Sequence, residues 1–365
     1  ALAAGGPVVS NPSGANLPAG LVAALAGARQ AQPGRTGAAG APGATGAPGA
    51  LEVDEAWLGH VAAAVAPVAM ALLNLSRDQL DRVSEVRRLG ASWRKAVAGS
   101  PHTHVVANAD DPIVAWAASA AARVTWVAAG QPWRLDASAC PRCEARIAFD
   151  GERWACASCG LGRPEPAAWL DGRSLALADG RRLPFGLALP GRFNRANAAV
   201  AAVTAEVMGV PLPRGLEAMG AVADVAGRYQ VVETRAGGEP VAARLLLAKN
   251  PAGWVELFDV LAPPPAPVVL AINARVADGR DPSWLWDVPF ERLAGRPTVA
   301  TGERRRDLAV RLRYAGVDHE VRADPLAALV AAARPADDQA VDVVANYTAF
   351  QDLRRAVGRS GRRAG

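Results

Sequence analysis

The cysteines of this 365-residue chain fall in a single pattern, Cys140-Pro-Arg-Cys143 and, twelve residues on, Cys156-Ala-Ser-Cys159. Two Cys-x-x-Cys knuckles at such a spacing bring four thiolates to one tetrahedral ion, so Cys140, Cys143, Cys156 and Cys159 are expected to hold Zn2+ in a ribbon covering about residues 138–165. Four thiolates leave no coordination position for substrate. The zinc is therefore expected to be structural, with nucleic-acid contact as the other use of such a ribbon. Disulfides are the competing fate of the same thiols in an oxidising compartment.

Oxygen ligands form a second set. Glu52, Asp54 and Glu55 lie together, as do Asp78 and Asp81, and Asp110 and Asp111 sit in Asn108-Ala-Asp-Asp-Pro112. Magnesium typically takes one or two carboxylates together with substrate phosphates, so any one cluster is enough to hold it. Each also has an ordinary use as a turn or helix cap, and Asp111-Pro112 has the form of an N-cap followed by proline at the first helical position. A further group, Asn273, Asp278, Asp281 and Asp287, lies in a glycine-containing stretch that also reads as a solvated turn. Trp284 and Trp286 beside it suit either an interface or a core.

What must position these residues is an alternation of short apolar runs with helical stretches. Strands are expected at Leu51–Val53, Val68–Leu75, His104–Ala107 and Val124–Ala128, with helices over 82–98 and 112–122, the pattern of a parallel α/β sheet. Phosphate-binding sites in such sheets lie beyond the carboxyl ends of the strands. After the cysteine segment comes an alanine-rich helix, Ala196–Met208. A second α/β unit then follows, with strands at Ala243–Ala248, Val268–Asn273, Thr298–Thr301 and Val341–Ala345 and helices near 304–315 and 325–333. Residues 31–50 carry glycine at 37, 40, 43, 46 and 49. Five triplets in one chain fall short of a collagen helix, so a flexible insertion is expected. The tail from Arg354 is expected to fray.

Composition narrows the class. With 51% hydrophobic and 21% charged residues, the chain reads as globular. The first 28 residues are uncharged but broken by Gly5, Gly6, Pro7, Pro12 and Pro18, which fits neither a membrane span nor a signal peptide. Forty basic residues against 35 acidic give +5, and only Lys95 and Lys249 are lysines. Neither lysine stands in the Gly-Lys-Thr/Ser context of a phosphate-binding loop. The arginine and alanine excess is what GC-rich coding produces, so it argues little for a nucleic-acid surface.

In this order, the segments resemble the central ATP-binding domain of the Mur ligases: Asn108-Ala-Asp-Asp-Pro112, Gly191-Arg-Phe-Asn-Arg-Ala-Asn197, and Gly227-Arg228-Tyr-Gln at the domain's end. Leu51-Glu-Val-Asp-Glu55, Arg77-Asp-Gln-Leu-Asp81, the four-cysteine insertion, Leu247-Ala-Lys-Asn-Pro-Ala-Gly253 and Ala277-Asp-Gly-Arg-Asp-Pro-Ser-Trp-Leu-Trp286 narrow the resemblance to the MurT family. These are the synthetase subunits that pair with the glutaminase GatD in lipid II isoglutaminyl synthase.

That resemblance implies a Mur ligase-like domain over 1–228 and a smaller α/β domain over 229–365. It implies ATP- and Mg2+-dependent amidation of the stem-peptide D-glutamate α-carboxylate in lipid II, at the inner face of the cytoplasmic membrane. Carried over by motif, Glu52 holds magnesium, Asn194 and Asn197 contact adenine, and Arg228 and Asn250 face the phosphates. Asp281 approaches the active site of the GatD-like partner. Two departures stand out: amino acid-adding Mur ligases have histidine where this chain has Gln79, and a modified lysine near residues 92–95, where spacing favours Arg94. The family's nucleotide loop belongs upstream of Val8–Pro18, so an N-terminally truncated domain is expected. Alternatives are a zinc-ribbon nucleic-acid or scaffold module, and a Mur-type amino acid ligase acting alone.

Overall fold

The computed structural model describes residues 1–5, 7–11, 15–31, 48–76, 83–130, 132–222, 229–236, 239–333 and 340–362. The glycine-rich insertion, apart from its first residue and residues 48–50, lies outside them, as do Asp78, Gln79, Asp81 and Arg228. The chain divides into two compact units. One contains residues 1–75, 84–188 and 193–222, and the other is built mainly of residues 223–365.

In chain order the strands are β1 (Val9–Ser10), β2 (Gly49–Ala50), β3 (Ala69–Leu72), β4 (His104–Asn108), β5 (Arg123–Ala128), β6 (Ile147–Asp150), β7 (Arg153–Cys156), β8 (Ala168–Asp171), β9 (Ser174–Leu177), β10 (Arg182–Pro184), β11 (Tyr229–Ala236), β12 (Glu239–Leu247), β13 (Val268–Ala271), β14 (Thr298–Thr301), β15 (His319–Val321) and β16 (Val341–Ala345). The first unit's main sheet runs β10-β9-β8-β5-β4-β3. Its β3, β4, β5 and β8 are parallel, and β8 to β10 close the other edge as an antiparallel meander. Val105, Val106 and Ala107 are fully buried, as expected for a central strand covered on both faces. Helix Val83–Ala98 puts Val86, Trp93 and Val97 against one core, and helix Arg192–Val207 puts Ala199, Val200 and Val203 into another.

The second unit's sheet runs β11-β12-β16-β13-β14-β15. From β12 to β15 the pairings are parallel, and β11 is an antiparallel edge hairpin with β12. Helices Arg305–Tyr314, Pro325–Ala332 and Tyr347–Arg362 alternate with its strands. Among the described residues, no helix is long and apolar enough to cross a membrane.

Three expectations need correction. Residues 51–54 form no strand; only Gly49–Ala50 pairs, with Val9–Ser10. The backbone after Ala50 is bonded to side chains and a loop instead of a ladder, as described below. Up to Arg362, the last described residue, the tail is helical and not frayed, because Phe350, Leu353 and Val357, at spacings of three and four, bury one stripe in the core. Helix 112–122 is shorter than its pattern, ending at Ala118.

Candidate functional site

The four cysteines converge as their spacing requires. Their sulfurs all lie within 4.8 Å of one another, with Cys140–Cys159 at 3.6 Å and Cys143–Cys156 at 3.5 Å. Four thiolates about 2.3 Å from a common zinc sit roughly 3.8 Å apart, so the cluster fits the ion. Bonded disulfide sulfurs are about 2.05 Å apart, so none is present. Both knuckles turn alike. The residue after each second cysteine, Glu144 (φ 67°) and Gly160 (φ 68°), is left-handed, and its N–H returns to the carbonyl of the first, Cys140 or Cys156. Strands β6 and β7 form the antiparallel hairpin between the knuckles.

The acidic turn at the end of β4 is built inward. Asp111 is fully buried, with one oxygen accepting from the N–H groups of Ile113 and Val114 as a helix N-cap and the other from Leu75 N–H, which ties β3's exit to β4's. Asp110 accepts from Arg163 Nε at 2.6 Å and from Gly130 N–H at 2.5 Å. Asn108 donates to the Gly130 carbonyl and accepts from Asp110 N–H. These carboxylates knit strand ends together, and Asp111 fills the N-cap role that Asp111-Pro112 led the sequence reading to expect.

Burial pushes the Asp111 carboxyl up to about 6 against an ordinary value of 3.8. The folded chain thus holds this proton more tightly than the unfolded chain. The resulting stabilisation is complete below pH 3.8 and is lost as pH rises through about 6. The melting-temperature advantage of wild type over Asp111→Asn is expected to shrink between pH 4 and pH 7; an advantage that grows over this range contradicts the assignment.

Glu52 is exposed, and its backbone is clamped. Buried Asn11 donates Nδ2–H to the Glu52 carbonyl and accepts Glu52 N–H, each at 2.9 Å. Asp54 N–H bonds the Asn16 carbonyl, and Trp93 Nε1–H bonds the Glu55 carbonyl. Asn11 is the neighbour of this candidate site residue that sequence reasoning missed; it lies 41 residues from Glu52, and no local pattern joins the two.

Asn194 and Asn197 stand one turn apart near the start of helix Arg192–Val207, Asn194 half-buried and Asn197 exposed. Arg94 spends its guanidinium on the Trp116 carbonyl (2.5 Å) and the Ser119 hydroxyl (2.9 Å), over the Trp116 ring. It acts as a strap between two helices.

In the second unit, Asn250 caps helix Pro251–Phe258 by accepting Gly253 N–H at 2.9 Å. Asn273 and Asn346, beyond the ends of β13 and β16, exchange side-chain and backbone bonds. Asp278 is buried and accepts from Thr348 N–H and hydroxyl and from Arg275 N–H. Gly302, at φ 92°, lies so close to the neighbouring strand exit that a Cβ there would sit 2.4 Å from the Ile272 carbonyl oxygen.

This scaffold carries exposed Asp281, which accepts Ser283 N–H at 2.9 Å; that bond holds its carboxyl below the usual range. Trp284 packs in the core against Trp254, whereas Trp286 is 54% exposed and meets Tyr314 edge-on. Asp278 and Asp281 share one loop with different tasks, one anchoring it and one presented at its surface.

Known proteins match this organisation. Residues 247–350 match the family model MurT ligase C-terminal. Over 380 residues the chain is 26% identical to the lipid II isoglutaminyl synthase (glutamine-hydrolyzing) subunit MurT of Streptococcus pneumoniae strain R6, covering 96% of this chain and 80% of that one. It is 25% identical over 338 residues to the MurT subunit of Staphylococcus aureus strain COL, covering 85% and 72%. Among solved structures, the pseudomurein peptide ligase type C of Methanothermus fervidus superposes with TM-score 0.60 at 15% identity, over 86% of this chain and 68% of that one. MurC of Thermotoga maritima gives 0.58 at 14% identity, over 87% and 65%. The chain thus has a Mur ligase-like α/β fold and is similar to MurT subunits over most of its length, and its residues 247–350 match the MurT ligase C-terminal model.

Proposed function

We propose that the chain is the ATP-using synthetase part of a glutamine-hydrolysing lipid II isoglutaminyl synthase. The observation that carries this reading is similarity to MurT subunits along 96% of the chain, joined to the match of its C-terminal unit to the MurT model. The substrate carboxylate, the stem-peptide D-glutamate α-carboxylate, attacks the γ-phosphorus of ATP and ADP leaves. Ammonia then attacks the acyl phosphate, inorganic phosphate leaves and an amide remains. Phosphoryl transfer of this kind is mostly positioning and charge neutralisation.

Glu52, fixed through Asn11, is assigned to magnesium. Asn194 and Asn197 are assigned to adenine, and Asn250 and Arg228 to the phosphates. The four cysteines are assigned to a structural zinc, since their geometry fits that ion and closes it off from substrate. A GatD-like glutaminase supplies the ammonia as the second subunit of a heterodimer at the cytoplasmic face of the membrane, with Asp281 directed to it. The protein, reconstituted with such a glutaminase, is expected to convert the lipid II carboxyl to its amide only when ATP, magnesium and glutamine are all present, as read by mass spectrometry of the stem peptide. Amide formation with an amino acid but not with ammonia makes the chain a solitary ligase. Salt-dependent binding to mixed DNA or RNA without ligation makes it a nucleic-acid module.

A further inference from the structure

The cysteine hairpin is wired into the acidic turn. Arg163, four residues past Cys159, places Nε 2.6 Å from Asp110 Oδ1, with side chains only 14% and 5% exposed. Trp154, two residues before Cys156 and buried, donates its indole N–H to the Ala109 carbonyl at 3.0 Å. The same two residues are joined within the hairpin: Arg163 N–H bonds the Trp154 carbonyl, and Cys156 N–H bonds the Leu161 carbonyl. Beneath them, Cys140, Ile147, Trp154 and Cys156 pack against Ala115 and Trp116 of the helix that Asp111 caps.

A lone pair of four-residue strands is marginal in water and needs an added constraint to persist. The four thiolates supply one when loaded. If the hairpin opens, Asp110 is left as a buried carboxylate that has lost its cationic partner, which is costly. Opening of the hairpin and loosening of the turn are therefore one event.

We infer that the four-cysteine site is a metal-dependent brace for the Asn108–Pro112 turn, and that Arg163 is the positioning residue that transmits it. Metal binding fixes Arg163 and Trp154, and these fix Asp110 and Ala109. Because coupling between two equilibria is reciprocal, the turn must raise the metal affinity of the cysteines by the same factor. This inference is independent of the ligase reading and is tested without turnover.

The experiment has two arms on the intact protein. In hydrogen exchange, removing zinc with a chelator is expected to speed exchange at the amides of Asp110, Ile113 and Gly130 by about tenfold or more, while strand β9 keeps its protection. In competition with a chromophoric chelator, Arg163→Gln and Asp110→Asn are each expected to weaken zinc binding by about tenfold, and the double variant by no more than either alone. Since a buried-charge variant can fail to fold, Trp154→Phe serves as a second probe. It keeps the ring packing, removes only the bond to Ala109, and is expected to weaken zinc binding severalfold. Arg163→Lys, which retains charge but not the fork, should recover part of the lost affinity. The inference is overturned by zinc affinity unchanged across these variants, by turn protection indifferent to chelation, or by loss of protection in β9 to the same degree as in the turn.

Discussion

Purified in the presence of zinc, the chain is expected to carry about one zinc per polypeptide, and Cys156→Ser to carry almost none. Sulfurs 3.5 and 3.6 Å apart are too far for disulfides and close to the edges of a zinc–thiolate tetrahedron. The matched left-handed turns after Cys143 and Cys159 bring each pair of thiols to one point, which unliganded thiols do not need. Structural zinc binding in small domains is worth on the order of 10 kcal/mol, far more than a hairpin of this size gains from its own packing. Losing it should therefore release the hairpin and expose Trp154, visible as a red shift in tryptophan emission. Elemental analysis decides the metal. Stoichiometric iron would keep the knuckles but replace the ion, and substoichiometric metal with readily oxidised thiols would remove the ribbon assignment.

The parallel strands were legible in the sequence for a physical reason. Strands buried on both faces read as largely apolar runs, as Val268–Ala271 does throughout, and Val341–Ala345 departs from this only at buried Asp342, which pairs with Arg244. The meander from Ala168 to Pro184 and the hairpin from Tyr229 to Leu247 were missed or shortened, because edge strands mix polar with apolar residues and short turns hide between them. The convergence of the four cysteines was legible because all four lie within twenty residues and their spacing is specific.

In the acidic turn the local part, the Asp111 N-cap before Pro112, was legible; the partners that bury it, Arg163, Gly130 and Leu75, were not, because they are tens of residues away in the chain. Asn11 escaped for the same reason: a clamp on the Glu52 backbone depends on a contact across 41 residues, and asparagine alone carries no such message. The tail misled because its arginines drew attention from the apolar stripe of Phe350, Leu353 and Val357.

Asp281→Asn is expected to lower glutamine hydrolysis in the assembled complex by on the order of 10³–10⁴, if its carboxylate orients a histidine of the glutaminase. An orienting aspartate fixes the imidazole tautomer and stabilises the imidazolium; asparagine keeps the shape and loses the charge. In this chain the substitution is well isolated from folding. Asp281 is exposed, its contact with Ser283 is a short turn that asparagine also makes, and the loop is anchored elsewhere, at Asp278 and Thr348. Amide formation from free ammonia and ATP should therefore remain within a few-fold of wild type, because that chemistry is assigned to residues other than Asp281.

Asp278→Asn is the contrasting variant. It touches the anchor, so it should disturb loop position and binding of the partner together. Intact partner binding with unchanged glutaminase activity in Asp281→Asn would reduce the residue to a turn-former. Equal loss of both activities would place it in the acyl-phosphate chemistry instead. The charge therefore acts on the partner's thiol chemistry only if glutaminase activity collapses while ammonia-dependent ligation and assembly persist.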